Sequence, residues 1–179
     1  MRASAMAKMQ RYDGTRGIED AARALKIVEV DSPGDKSHVG SLSMLGFAYG
    51  HQDQLSKAEP YFAQAIAVAE KLPQAERAFE ALVHLRYAES LIMARFHMRA
   101  LDALSKALAV IEQSSGTDSF RWARTAVLVA NLKSASGDAP GAIVLFEQVI
   151  RVYEKFGKEL DPLFISAARA MLGQCLADY

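Results

Sequence analysis

Small and large apolar residues recur along this chain at helical spacing, three and four positions apart. The clearest case lies in the segment that begins at Leu55, where Ala58, Phe62 and Ala65 share one side of a predicted helix. The only stretch that resembles a strand, residues 28–30, is too short to form one. The pattern therefore predicts an all-α protein.

The same triplet of a small, a large and a second small or branched residue returns twice. Its first member lies at positions 58, 100 and 142, so successive copies are 42 residues apart. The triplets are Ala58, Phe62 and Ala65; Ala100, Leu104 and Ala107; and Ala142, Phe146 and Val149. A register that repeats twice indicates a structural repeat.

The segment before each triplet follows the same 42-residue register, except that Lys133 breaks the last match. These residues are Leu45, Gly46 and Tyr49; Tyr87, Ala88 and Leu91; and Val129, Ala130 and Lys133. Each unit is therefore predicted to be a helix, a turn and a second helix. Because one helix pair cannot bury its apolar face on both sides, successive pairs are expected to stack.

We expect one repeat domain over residues 1–179. Its predicted units span approximately residues 1–30 (partial), 38–72, 77–113, 120–156 and 162–179 (half unit). Tyr12, Ala21, Leu25 and Val28 mark the first unit, and Leu172, Gly173 and Leu176 mark the last.

Turn-forming residues at 31–37 and 114–119 are predicted to separate units, and Gly137 to end a helix with positive φ. The glycine-rich residues 13–17 are predicted to form a turn between two helices.

The Leu-Gly-x-x-Tyr pattern at residues 45–49, followed by Ala-x-x-x-Phe-x-x-Ala at residues 58–65, resembles tetratricopeptide repeats (TPRs). The 42-residue length is similar to that of kinesin-light-chain repeats, which also occur in bacterial regulators. The usual tryptophan is replaced by Leu42, His84 and Ala126, and Trp122 lies one turn too early. The resemblance implies a right-handed superhelix (α-solenoid) of antiparallel helix pairs that binds a protein or peptide.

Charge and composition exclude several classes of protein. Lys plus Arg and Asp plus Glu each number 21, so the chain lacks the basic excess that a nucleic-acid partner requires. The N-terminal residues lack the apolar run of a signal peptide, and no apolar run is long enough to span a membrane. We therefore expect a cytoplasmic protein. The lone Cys175 is expected to be a buried core residue.

The sequence contains no constellation that predicts catalysis. The four histidines, at positions 38, 51, 84 and 97, are not spaced as zinc ligands, and neither a phosphate-binding loop nor a Gly-x-Ser-x-Gly elbow is present. We expect no metal, no cofactor and no enzymatic activity.

The resemblance to tetratricopeptide repeats implies that the first helix of each unit lines a concave surface. The expected contact residues are Ser43, Met44, Phe47 and His51; Arg86, Glu89 and Met93; Arg124, Asn131 and Ser134; and Gln174. The arginines could hold a carboxylate and the amides a peptide backbone. Of the set with which chaperone-binding relatives clamp a C-terminal carboxylate, only Asn131 has a match. The alternative is that Met44, Phe47 and Met93 only pack between helices.

Two functions follow from this reasoning. The first is a scaffold that binds a protein or peptide, and the alternative is a sensory or regulatory module that binds a small peptide or effector. The C-terminal helix, residues 162–176, is nearly all apolar. It therefore predicts either that two copies pair through it or that the chain is part of a longer protein.

Overall fold

The computed structural model describes residues 2–156 and 162–178, with side chains for residues 15–156 and 162–177. These residues form eight α-helices and one short 3₁₀ helix, with no β-strand among them. The helices are α1 (Arg2–Asp31), α2 (Lys36–Gly50), α3 (Leu55–Ala69), α4 (Ala78–Met93), α5 (His97–Ser115), α6 (Phe120–Ala135), α7 (Ala139–Lys155) and α8 (Pro162–Asp178), and the 3₁₀ helix is Gln74–Glu76.

The chain divides into two compact units, residues 1–100 and 101–179. In the first, α2 and α3 pack along each other, α1 packs on α2, and α4 contacts both α2 and α3. In the second, α7 packs against both α6 and α8. Short connections between helices that pack together are those of αα-hairpins, which is the arrangement that the sequence predicts.

The core of the first unit is built from the residues that carry the repeat pattern. Leu42 and Leu45 of α2 are buried against Phe62 of α3. A Cβ atom on Gly46 would lie 3.3 Å from the Ala58 carbonyl oxygen and from the Phe62 ring. Glycine at this position therefore allows the two helices to approach closely.

All nine residues of the three triplets are buried, and none is more than 1% exposed. This confirms that the small-large-small pattern marks the buried face. In the second unit, Ala142 and Phe146 form a core cluster with Ala130 and Cys175, so the core position predicted for the cysteine is also confirmed. Ala21 and Leu25 of the predicted partial unit join the first core, whereas Tyr12 lies outside the residues whose side chains are described.

The turns within helix pairs repeat with the same register. Asp53, Arg95 and Gly137 have φ angles of 57°, 66° and 88°, and their positions are again 42 apart. The predicted positive φ of Gly137 is confirmed. Asp53 and Arg95 adopt the left-handed conformation despite its steric cost to residues with a Cβ atom.

The connections between units carry polar caps. The Asp35 carboxylate accepts hydrogen bonds from the Ser37 and His38 amides at the start of α2, and the Ser119 hydroxyl accepts one from the Trp122 amide in α6. The predicted connections at residues 31–37 and 114–119 therefore each contain the residue that caps the start of the next helix. How the whole chain divides into repeat units remains a prediction.

The predicted turn at residues 13–17 is wrong, because these residues lie inside the continuous helix α1. Glycine in a helix costs only about 1 kcal/mol relative to alanine, so two glycines do not end a helix by themselves. No helix in the described parts of the chain is long and apolar enough to cross a membrane.

Candidate functional site

Two side-chain contacts join α2 to α4 on the face where sequence analysis predicts a binding surface. Arg86 Nη1 donates a hydrogen bond to Ser43 Oγ at 2.6 Å. Farther along the two helices, His51 Nε2 lies 3.7 Å from Glu89 Oε1. The Phe47 ring meets the His51 ring edge to face, with centroids 4.2 Å apart. The predicted residues of the two helices therefore do meet.

Met44 is three residues before Phe47 and seven before His51, and Arg86, Glu89 and Met93 have the same spacing, so each set lies on one helix face. We define the α2–α4 surface as the exposed and half-buried members of this set. They are Met44 and Phe47 of α2, His51 directly after α2, and Arg86, Glu89 and Met93 of α4.

Arg86 is a charged residue in an unusual environment on this surface. Burial lowers the pKa of its guanidinium, and the nearby Glu89 raises it in part. The hydroxyl of Ser43 is its only hydrogen-bond acceptor among the described residues, and it forms no ion pair with a described carboxylate. A half-buried guanidinium that bonds only a neutral oxygen retains donors for an incoming carboxylate.

Ser43 takes a different role from the predicted one. It is fully buried and therefore cannot touch a ligand directly, but its hydroxyl positions Arg86 from behind. Met44 and Met93 are 44% and 43% exposed. Their side chains therefore do not serve only to pack between helices, because a large part of each is open to solvent. Phe47 is half-buried and also packs on the core of the first unit.

The 42-residue register identifies a residue that the sequence prediction missed. Met44 and Arg86 are followed in this register by Leu128, which is 43% exposed on α6. Phe47 and Glu89 are followed by the half-buried Asn131. Adding 42 to the number of Arg86 would have selected Leu128 instead of Arg124, which lies one helical turn earlier.

In the second unit the predicted residues do not share one environment. The exposed Arg124 places its guanidinium carbon 5.9 Å from the centre of the Phe120 ring. Gln174 is exposed on α8. Ser134, in contrast, accepts a hydrogen bond from the Cys175 thiol at 3.2 Å, so its side chain faces α8. Ser134 therefore links helices and is poorly placed to contact a ligand.

The described side chains include no group of three or more His, Cys, Asp or Glu residues that could hold a metal ion. The acidic and basic side chains of the α2–α4 surface instead contact each other or a hydroxyl. The chemistry that this arrangement offers is reversible binding through hydrogen bonds, ion pairs and apolar contact.

Residues 39–72 match the model of a tetratricopeptide repeat family. This range contains most of α2, the first turn and α3 of the first unit, where the sequence pattern is also clearest. No curated protein matches the chain in sequence.

Solved structures of low sequence identity share the fold. TPR-like repeats of a Podosopora anserina protein assigned as a kinesin light chain are 18% identical, with a TM-score of 0.73 for a point variant and 0.72 for a second crystal structure. Each alignment covers 97% of this chain and 82% of that one. BtubC (BKLC) from P. vanneervenii is 17% identical with a TM-score of 0.50, over 90% of this chain and 82% of that one.

The fold thus defines an all-α, TPR-like protein, and the predicted class is confirmed. One segment, residues 39–72, matches a tetratricopeptide repeat model, and the fold is similar to that of kinesin-light-chain TPR-like repeats. Proteins with such repeats are generally non-catalytic scaffolds for protein–protein interaction.

Proposed function

We propose that this chain is a non-catalytic, cytoplasmic scaffold that binds a protein or peptide through the α2–α4 surface. The observation that carries the proposal is the environment of Arg86. Its guanidinium is half-buried, is held by Ser43, and forms no ion pair with a described carboxylate. A carboxylate from a partner would supply a direct ion pair with strong, paired hydrogen bonds.

The rest of the surface suggests what should flank that carboxylate. Met44 and Met93 are exposed thioether side chains, which adapt to apolar groups of different shapes. The edge-to-face pair of Phe47 and His51 offers an aromatic wall. We therefore propose that the partner presents an acidic residue next to an apolar one. Peptides of this kind bind to helical grooves through a few anchor side chains.

The second unit contributes its own candidate contacts to the proposal. Arg124 and Leu128 are exposed on α6, Asn131 is half-buried there, and Gln174 is exposed on α8. The side-chain amides of Asn131 and Gln174 can each donate to and accept from a peptide backbone.

Selection of a displayed random peptide library on the purified protein tests the proposal. We expect enriched peptides that carry an acidic residue beside an apolar one. Their affinity should fall by about tenfold or more in Arg86→Gln, since a charged hydrogen-bonded pair is lost. The matched control is Arg16→Gln, which removes the same charge from an exposed site on α1.

A library that yields no peptide of saturable affinity would contradict the scaffold function. Peptides that bind Arg86→Gln and the wild type equally would show that the α2–α4 surface is wrongly assigned.

Pairing of two copies through α8 is a separate part of the proposal. The exposed apolar side chains Leu163, Phe164 and Leu176 on this helix support it. Light scattering should give the mass of a dimer for the wild type and that of a monomer for Leu176→Glu. A wild-type monomer of 19.5 kDa at all concentrations would contradict the pairing.

A further inference from the structure

The second unit contains a cavity of about 380 Å³ whose lining includes no residue of the α2–α4 surface. It is an open cavity lined by the loop before α6, the first turn of α6 and the last turns of α7. Its walls include Thr117, Asp118, Trp122, Gln148, Arg151 and Lys155. The volume is at the lower end of the range for small-molecule sites.

Positive charge and hydrogen-bond donors predominate in these walls. Lys155 Nζ lies 2.8 Å from the Asp118 carboxylate, so these two charges balance each other. Arg151 has no such partner among the described residues, which leaves one net positive charge with five N–H donors. Gln148 and Thr117 can donate as well. An anion with several acceptor oxygens would complement this set of side chains.

Trp122 supplies a second and independent indication. It is only 3% exposed, it forms part of the cavity wall, and its buried Nε1 atom has no hydrogen-bond partner in the described part of the chain. An indole N–H can only donate, and leaving a buried donor unpaired is unfavourable. An acceptor brought by a ligand would remove that cost. Because the nitrogen is screened from solvent, contact with a ligand in the cavity requires the lining side chains to shift.

The register of the repeats shows that tryptophan does not recur at this position of the unit. Position 122 corresponds to Glu80 in the preceding unit and to His38 before that, at the same 42-residue interval. Three different side chains therefore fill equivalent places at the start of first helices. A large indole with an unpaired donor is specific to the unit that contains the cavity.

We propose that this cavity binds a small oxyanion, a carboxylate or a phosphate, through Arg151 and the Trp122 N–H group. Arg151 pairs with two of its oxygens, and a further oxygen accepts from the indole. Such a site would suit a regulatory module that responds to a small effector. It shares no residue with the α2–α4 surface, so either assignment can fail without the other.

The single tryptophan of the chain makes the test direct, because all indole emission comes from Trp122. The protein is titrated with succinate and, separately, with inorganic phosphate, at an ionic strength held constant with sodium chloride. We expect a saturable change in emission with at least one anion. A response to succinate alone assigns a carboxylate, and a response to phosphate alone assigns a phosphate.

Two variants and a control define the site. Arg151→Gln should weaken binding by about tenfold or more, and Arg121→Gln, which removes an exposed charge of α6 outside the cavity wall, should not. Trp122→Phe removes the N–H donor and, measured by calorimetry, should weaken binding by roughly fivefold. Circular dichroism of each variant establishes that the helices are retained.

Three results would overturn the assignment. The first is the absence of a saturable response to either anion up to tens of millimolar. The second is equal affinity in folded Arg151→Gln and the wild type, which would reduce the effect to general screening by salt. The third is unchanged affinity in folded Trp122→Phe.

Discussion

A Cβ atom added to Gly50 would lie 2.6 Å from the Cβ atom of Ser90 and 2.3 Å from its hydroxyl oxygen. The end of α2 therefore touches α4 with no room for a side chain. Ser90 is fully buried, and its hydroxyl donates to the Arg86 carbonyl oxygen at 3.1 Å. The close approach of these two residues fixes the spacing of the helices that carry the α2–α4 surface.

Gly50→Ala is expected to destabilise the first unit. The added methyl group overlaps a buried side chain, and overpacking of this kind costs about 1–3 kcal/mol. Because α4 must shift, peptide binding at the α2–α4 surface should weaken as well. Denaturant unfolding followed by circular dichroism measures the first effect.

Gly40→Ala is the matched control, because Gly40 lies in the same helix and a Cβ atom there meets nothing within 4 Å. It should stabilise the helix by about 0.5–1 kcal/mol. Combining Gly50→Ala with Ser90→Gly should restore part of the lost stability, since it removes the overlapping atoms but places a glycine in α4. If Gly50→Ala were as stable as the wild type, the close approach would be refuted.

The turn at Arg95 provides a second prediction. Its φ of 66° is unfavourable for a residue with a Cβ atom, by roughly 1–2 kcal/mol. Arg95→Gly should therefore raise the free energy of unfolding, although the greater freedom of glycine in the unfolded chain offsets part of the gain. Thermal unfolding of the variant measures the net change.

The reverse substitution in the equivalent turn serves as the control. Gly137 has a φ of 88°, and a Cβ atom there would meet no neighbour within 4 Å. Gly137→Ala should therefore destabilise by backbone strain alone, by roughly 1 kcal/mol. Changes of equal sign in the two variants would contradict the left-handed geometry of these turns.

The buried face of the repeat could be predicted from the sequence because packing requirements act directly on residue size. Ala58, Phe62 and Ala65 keep one helix face small, large and small, and their copies are buried in every case. Gly46 is similarly informative, because the close contact with Phe62 excludes a side chain. Such constraints act on every unit, so residues of the same size recur at the same spacing in the sequence.

The binding residues could be predicted less well. Whether a polar side chain is exposed depends on the residues of adjacent helices that contact it, and the repeat pattern does not reveal those contacts. Ser43 is polar yet fully buried, since Arg86 reaches it from the next helix. Ser134 is polar yet faces Cys175. A polar residue on a first helix can therefore face either a ligand or an adjacent helix, and only the contacts across helices distinguish the two.

The hydrogen bond between Arg86 and Ser43 predicts a positioning role for the serine. Ser43→Ala removes the acceptor but no exposed group, so peptide affinity should fall by roughly threefold to tenfold as Arg86 loses its fixed orientation. The control is Ser41→Ala, also on α2, for which no change is expected. Affinity titration with one selected peptide compares the two. Equal affinities in both variants would show that the hydrogen bond to Ser43 is not needed to orient Arg86.

The buried Glu80 predicts how stability depends on pH. Burial raises the pKa of its carboxyl group, and Glu70 raises it further, although Arg77 at 3.6 Å lowers it in part. One of its carboxylate oxygens is buried and has no hydrogen-bond partner among the residues that the structure describes. The folded state therefore holds this proton more tightly than the unfolded state does. It follows that ionisation of Glu80 reduces stability as pH rises from the ordinary glutamate range through the raised pKa.

Glu80→Gln removes the ionisable carboxyl group and should raise Tm by a few degrees at pH 7. At about pH 4 the raised pKa favours the protonated carboxyl in the folded state, so the two proteins should differ less there. Glu29→Gln, an exposed site on α1, is the control and should have no such pH-dependent effect. Thermal unfolding of the three proteins across this pH range decides the matter. A gain in Tm that was as large at pH 4 as at pH 7 would show that lost ionisation is not the cause.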